Sequence, residues 1–136
     1  MNQIKEIYNL KNDSRRIKMV QEASLDKKSH AGYRIENGLL FGTKDWFTAI
    51  EQDIIPKHMV KGVISRVYMS GHNDYPEFEV KSDEDETSTW PREGAESAYE
   101  VGKYVELIYV EQKYKRPTDI TGPISQCIIQ IKIGEI

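Results

Sequence analysis

A single cysteine, Cys127, stands among the 136 residues of this chain, and the lack of a second one rules out much. No internal disulfide can form, and a thiolate-built structural zinc centre is excluded. No apolar run reaches the ~18–20 residues that a membrane-spanning helix needs. The first stretch, MNQIKEIYNLKNDSRR, contains no uninterrupted apolar segment of the secretory type. From these absences the expectation is a soluble protein of the cytoplasm of a bacterium-like cell. The signatures of common chemistries are missing as well: no P-loop, no Gly-x-Gly-x-x-Gly, no Cys-x-x-Cys, no His-Glu-x-x-His and no Gly-x-Ser-x-Gly. The three histidines, His30, His58 and His72, are scattered along the chain. No catalytic residue, metal ligand or cofactor is assigned.

What is present describes a folded domain. The length is that of one domain, enough to remove roughly two-thirds of the unfolded surface from water. Hydrophobic residues make up 38%, charged residues 30% and aromatics 10%, which is polar for a globular chain but too rich in Tyr, Ile and Val for disorder. The net charge of −3 hides an asymmetry. Up to Ile35 there are eight Lys/Arg against four Asp/Glu, whereas from Asp74 to Glu111 twelve acidic residues face three basic ones. Such an acidic stretch repels phosphates and disfavours a nucleic-acid partner there.

The residues from Val60 to Ile133 organise the chain as short strands separated by turns. Lys61 to Met69 reads as a strand, with Gly62 at a bulge or tight bend. In Glu77 to Lys81, Phe78 and Val80 alternate with charged residues, as a strand buried on one face requires. Asp83, Glu84 and Asp85 make a turn, and Glu86 to Trp90 returns as its partner. The segment REGAESAYEVG is a loop with room for one helical turn. Lys103 to Val110 is apolar on both sides, so it belongs at the centre of a sheet or beneath a helix. EQKYKRPTDITGP reads as a long polar connection, and ISQCIIQIKI as the last strand, with Cys127, Ile129, Ile131 and Ile133 on one face.

Upstream, residues 1–58 read as a helix, hairpin and helix that cover a barrel formed by residues 59–136, all within one domain. Ile4, Ile7 and Tyr8 fit a helical face, and Ile17, Val20 and Ser24 fit another behind Ser14 as N-cap. Asn37-Gly38 is a hairpin signal, because a type I′ turn needs positive φ at both central residues. Thr43 caps a helix in which Trp46, Phe47, Ile50 and Ile54 recur at helical spacing, with Trp46 and Phe47 as a core plug. The fold class expected is mainly β: an OB-like or SH3-like β-barrel of five to six strands with one or two short N-terminal helices.

Gly62-Val63, Tyr75-Pro76-x-Phe78 and the Tyr99-x-Val101-Gly102-x-x-Val105-x-Leu107-x-Tyr109 series carry a resemblance. Over residues 60–115 the chain resembles small bacterial β-barrel domains of unknown function with a Tyr-Pro-x-Phe … Tyr-x-Val-Gly-x-x-Val-x-Val-x-Tyr pattern. It departs from them where they have an Asp-Gly turn, and it lacks the flanking transmembrane helices usual among them. The resemblance implies a barrel and no activity.

The loop Ser70-Gly71-His72-Asn73-Asp74 places a hydroxyl, an imidazole and a carboxylate together, which is the raw material of a small hydrolase. Turn chemistry accounts for the same residues. The aromatics Tyr75, Trp90, Tyr99, Tyr104, Tyr109 and Tyr114 divide between core and surface. Those at the surface supply rigid contact area for a protein partner. The candidate binding residues are therefore Tyr75, Glu79, Trp90, Tyr99 and Tyr104, with His72 and Asp74 beside them. The function expected is a non-enzymatic protein-interaction domain whose acidic surface meets a basic protein, in the manner of an inhibitor, an immunity-type protein or an accessory factor; homo-oligomers are compatible with it. The alternatives are a single-stranded nucleic-acid binder using Lys113, Lys115, Arg116, Arg15 and Arg16 beside the barrel aromatics, and a hydrolase at His72.

Overall fold

A computed structural model describes residues 3–69 and 75–135. The protein is mainly β, with six antiparallel strands and two α-helices. The strands are β1 (Gln3–Asn9), β2 (His58–Met69), β3 (Pro76–Lys81), β4 (Thr87–Pro91), β5 (Tyr104–Thr118) and β6 (Gly122–Glu135). The helices are α1 (Ser14–Leu25) and α2 (Lys44–Glu51). All six strands lie in one sheet in the order β1-β6-β5-β2-β3-β4. The doubly apolar β5 is thus central, as its composition requires.

The chain divides into two compact units. The first comprises Met1–Asn9, Met59–Ile108 and Gln130–Ile136, and the second Leu10–His58 and Tyr109–Ile129. In the first unit, β2, β3 and β4 form a meander. Val67, Phe78 and Trp90 lie abreast in one row, and Ile64, Val80 and Ser88 in the next. With a period of two, these rows share one face, and Phe78, Val80, Ile64 and Trp90 are buried there with Val105, Leu107, Ile131 and Ile133. Gly62 is needed where it stands: a Cβ would meet the Lys81 carbonyl oxygen at 2.3 Å. The bulge foreseen there lies slightly later, between Ile64 and Arg66.

Residues 3–9 form a strand and not a helix. β1 pairs with β6, and the register slips between Glu6 and Tyr8. One extra residue breaks the period of two, so Ile4, Ile7 and Tyr8 fall at helix-like spacing although the backbone is extended. Tyr8 sits opposite Ile131, buried.

In the second unit both helices form, but α2 ends at Glu51: Asp53 takes φ of 59°, and Ile54, expected on its apolar face, lies beyond it and is exposed. Thr43 Oγ1 accepts from the Trp46 amide at 3.3 Å and caps α2. Asp13, one residue before the expected cap, accepts from the Arg16 amide at 3.2 Å and caps α1. Trp46 has none of its surface exposed, and its ring packs 4.7 Å from Phe41 and 5.1 Å from Phe47. The Asn37-Gly38 turn is present, with φ of 55° and 72° and a Leu39 amide donating to Glu36 O at 2.9 Å. Its arms are joined by a single bridge, Glu36 to Leu39, rather than paired as strands, and Tyr33 bridges to Tyr114 of β5 instead.

The largest departure from expectation concerns the polar stretch after Val110. It is the continuation of β5, which reaches Thr118 and turns directly into β6. The partner that stabilises it is the segment around Tyr33. The Arg34 amide donates to Lys113 O at 2.9 Å, the Lys115 amide to Gly32 O at 3.0 Å, and the Tyr33 and Tyr114 rings lie 5.6 Å apart. Backbone pairing with a distant segment overrides the polar composition.

Candidate functional site

The side of the β2-β3-β4 meander opposite its core carries a cross-strand array of charged and aromatic side chains. The register sets Arg66 beside Glu79 and Glu79 beside Thr89, then Tyr68 beside Glu77 and Glu77 beside Pro91. Directly opposed side chains in such pairs interact. The Arg66 guanidinium lies 4.2 Å from the Tyr68 ring centroid, and Ser65 Oγ donates to the Glu79 carboxylate at 2.9 Å. On β5, Val105 and Leu107 are buried, so Tyr104 and Glu106 point to the other face.

The hydroxyls on this face report the local field. Burial pushes the Tyr104 pKa up, and the negative charges of Glu106 and Asp83 push it further. Tyr68 is raised for the same first reason and by its hydrogen bond to Glu77. Next to the face, the 82–86 turn is held by Ser82 Oγ, which accepts from the Glu84 amide at 3.3 Å and the Glu86 amide at 3.2 Å. Asp85 takes φ of 62°, the conformation for which a glycine would be usual. Asp83, Glu84, Asp85 and Glu86 are all exposed, with Lys81 paired to Asp85 at 3.4 Å.

Counted by unit, the charge separates more sharply than it does along the chain. The first unit holds 13 Asp/Glu and 7 Lys/Arg, a net −6; the second holds 9 and 12, a net +3. The two sum to the −3 of the whole chain.

The candidate residues of the sequence divide accordingly. Glu79 and Tyr104 are half-buried on the charged face, and Tyr75 is exposed immediately before β3. Trp90 and Tyr99 are each only 4% exposed. Trp90 Nε1 donates to Ser88 Oγ at 2.8 Å, and Tyr99 packs 4.7 Å from Phe78 while its hydroxyl donates to Glu93 O at 2.5 Å. His72 and Asp74 lie outside the described residues. The face also gathers Arg66, Tyr68, Glu77 and Glu106, which sequence reasoning did not single out. The alternation around Phe78 placed Glu77 outward, but the register that brings Arg66 and Tyr68 beside it is not written in any one strand.

The basic residues of the nucleic-acid reading are partly engaged within the second unit. Lys115 Nζ donates to the carbonyls of Ala23 at 2.6 Å and Asp26 at 2.8 Å, at the end of α1. Lys113 pairs with Glu36 at 3.4 Å, Arg16 with Asp13 at 4.0 Å, and Arg116 lies 3.5 Å from His30 Nδ1. Arg15 is exposed on α1. The second unit also holds a groove of about 290 Å³, floored by Trp46 and walled by Leu39, Ile54, Pro56 and Ile124. Cys127 is buried, and burial raises its pKa, which keeps it a thiol. Among the described residues, no group of three or more His, Cys, Asp or Glu is placed to hold a metal ion, and no helix is long and apolar enough to cross a membrane.

Fold and surface together define a small mainly-β protein with one sheet face that carries tyrosines and charged side chains. The chain belongs to the immunity protein RhsI2 family, which it matches over residues 3–134. No curated protein matches it. Membership implies a protein partner and a protein-binding role. The family match does not support the Tyr-Pro-x-Phe resemblance, which adds no assignment.

Proposed function

We propose that this protein is a non-enzymatic immunity protein that neutralises a toxin by binding it, and that the acidic face of the first unit is where the toxin docks. The observation that carries the proposal is the convergence of Glu77, Glu79 and Glu106 with Tyr68 and Tyr104 on one sheet face, in a unit of net charge −6. A basic toxin surface would be steered toward such a face before contact. The tyrosines then supply rigid contact area that loses little conformational entropy on binding. The carboxylates are held in strands, so their geometry exists before the partner arrives. A site of action in the cytoplasm accords with the single cysteine.

The test uses the cognate toxin, captured on the tagged protein and purified. Glu77→Lys combined with Glu79→Lys is expected to slow association at least about tenfold, in the range that steering contributes. Glu77→Gln with Glu79→Gln should give an intermediate loss, and thermal melts of both variants check that the fold is intact. Unchanged association for folded lysine variants would remove the acidic face from the interface.

A further inference from the structure

A cation stands among the carboxylates of the acidic face, and an irregularity in β2 puts it there. Ile64 is buried on the core side, so a strict period of two would turn Ser65 outward and Arg66 inward. The bulge between Ile64 and Arg66 resets the alternation. Arg66 then pairs with Glu79 and Tyr68 with Glu77 on the outer face, while Val67 joins Phe78 within. A bulge leaves one residue out of the ladder and re-aims the side chains that follow it.

The guanidinium so placed is held without a charge partner. It lies over the Tyr68 ring at 4.2 Å, and the Tyr68 hydroxyl is hydrogen-bonded to Glu77 and Thr89. Glu79, directly across the ladder from Arg66, accepts from Ser65 Oγ at 2.9 Å instead. Among the described residues no carboxylate forms an ion pair with Arg66. Lys81, farther along β3, is paired to Asp85 at 3.4 Å. Arg66 is exposed, so its fork of N–H donors is open to a partner.

Opposite a uniformly basic toxin surface, Arg66 would be a like charge brought into contact, which opposes binding. It cannot stand aside, because Glu79 and Tyr68 of the docking face are its immediate neighbours. We propose that Arg66 is a specificity residue that takes a carboxylate side chain of the toxin in a bidentate pair, set within the basic surface that meets Glu77 and Glu79. This rests on the toxin-docking reading above and adds the chemistry that one point of the partner must present. A planar guanidinium matches a carboxylate through two parallel hydrogen bonds. Stacking on Tyr68 orients it beforehand, which lowers the ordering cost of binding. A basic toxin without that carboxylate is rejected by the unpaired arginine.

Steering by net charge and a specific pair have opposite signatures. If the face acted through its net charge alone, Arg66→Gln would make it more acidic and tighten binding to the purified toxin. With the carboxylate pair, Arg66→Gln should not slow association, but dissociation should quicken about 30-fold, the scale for truncating one partner of a desolvated charge pair. Arg66→Lys, which keeps the charge and loses the fork, should recover only part of that loss. Single Asp→Asn and Glu→Gln variants of the toxin then locate the partner: one of them should weaken wild-type binding comparably and add little in combination with Arg66→Gln. Wild-type or tighter binding by Arg66→Gln overturns the inference, as does the lack of coupling to any toxin carboxylate. The docking reading survives either result if Glu77→Lys with Glu79→Lys still slows association. Lysine variants that associate at the wild-type rate would remove the face itself, and the inference with it. Concentration-dependent dimers of the protein alone, lost in Arg66→Gln, would assign the arginine to a second copy of this chain and overturn the toxin pair. Thermal melts establish that each variant is folded.

Discussion

Tyr33 shows how much one side chain can be asked to hold. Its hydroxyl lies 3.1 Å from Ser125 Oγ beside Cys127, and its ring packs 5.4 Å from Phe41. Burial above all pushes its pKa well beyond the usual tyrosine range, as burial does for Tyr99. A tyrosine raised in the folded state favours folding while both states are protonated. That contribution is complete below the unfolded value of about 10 and is lost as pH climbs above it. Stability is therefore expected to be level to about pH 8, to start falling as the Cys127 thiol, also raised by burial, ionises in the unfolded chain, and to fall further above about pH 10. Lys103, raised by its hydrogen bond to Glu135, loses its contribution in the same window. Urea unfolding followed across this range should show a shallower decline above about pH 10 in Tyr33→Phe and Tyr99→Phe, with the thiol and lysine parts left; an undiminished slope in both variants would refute the assignment. Sequence alone offered Tyr99 as a surface aromatic, because a tyrosine reads alike whether its ring is covered or not.

At the scale of elements, the end of α1 depends on a residue 89 positions away, Lys115, whose ammonium reaches the carbonyls of Ala23, Ser24 and Asp26. Helix C-termini leave carbonyls unpaired, and a cation there both satisfies them and answers the helix dipole. Lys115→Met keeps the aliphatic stem and removes the donors. It should cost about 1.5 kcal/mol, the lower end for a charge-assisted hydrogen bond, seen as a shift in the urea midpoint with an unchanged slope. A midpoint identical to wild type would show the contact to be idle. The contact also explains why the polar stretch of β5 escaped a sequence reading. Lys115 and Tyr114 look like loop residues until the Gly32–Arg34 backbone is placed against them. By contrast, the start of α2 was legible, since its Thr43 cap and its Trp46 plug lie within a few residues of one another, although the helix stops short of Ile54.

At the scale of the whole molecule, the division of charge into −6 and +3 predicts how binding responds to salt. The screening length shrinks from about 30 Å at 0.01 M to about 3 Å at 1 M, so association with the toxin should slow steeply as salt is added. Dissociation, governed by short-range contacts, should change far less. Stopped-flow association rates measured across that range decide the matter: a flat profile would mean that the acidic face does not guide the encounter. The charge asymmetry itself could be read from the sequence, with its acidic run between Asp74 and Glu111. What could not be read is that basic residues from both ends of the chain collect in one unit, because β5 and β6 each pass part of their length to it.

The sequence by itself determined the mainly-β class, the meander of β2, β3 and β4 with its buried and outward faces, the Thr43 cap of α2 and the Asn37-Gly38 turn. Each of these rests on interactions between residues close in the chain, where the period of two, the period of 3.6 and the turn preferences act directly. Tertiary structure alone decided that residues 3–9 are a strand beside β6, that the segment after Val110 is strand rather than loop, and which aromatics are covered. It also set Arg66 and Tyr68 beside Glu79 and Glu77. All of these depend on partners tens of residues distant, and cross-strand register is a property of pairs that no single stretch of sequence contains.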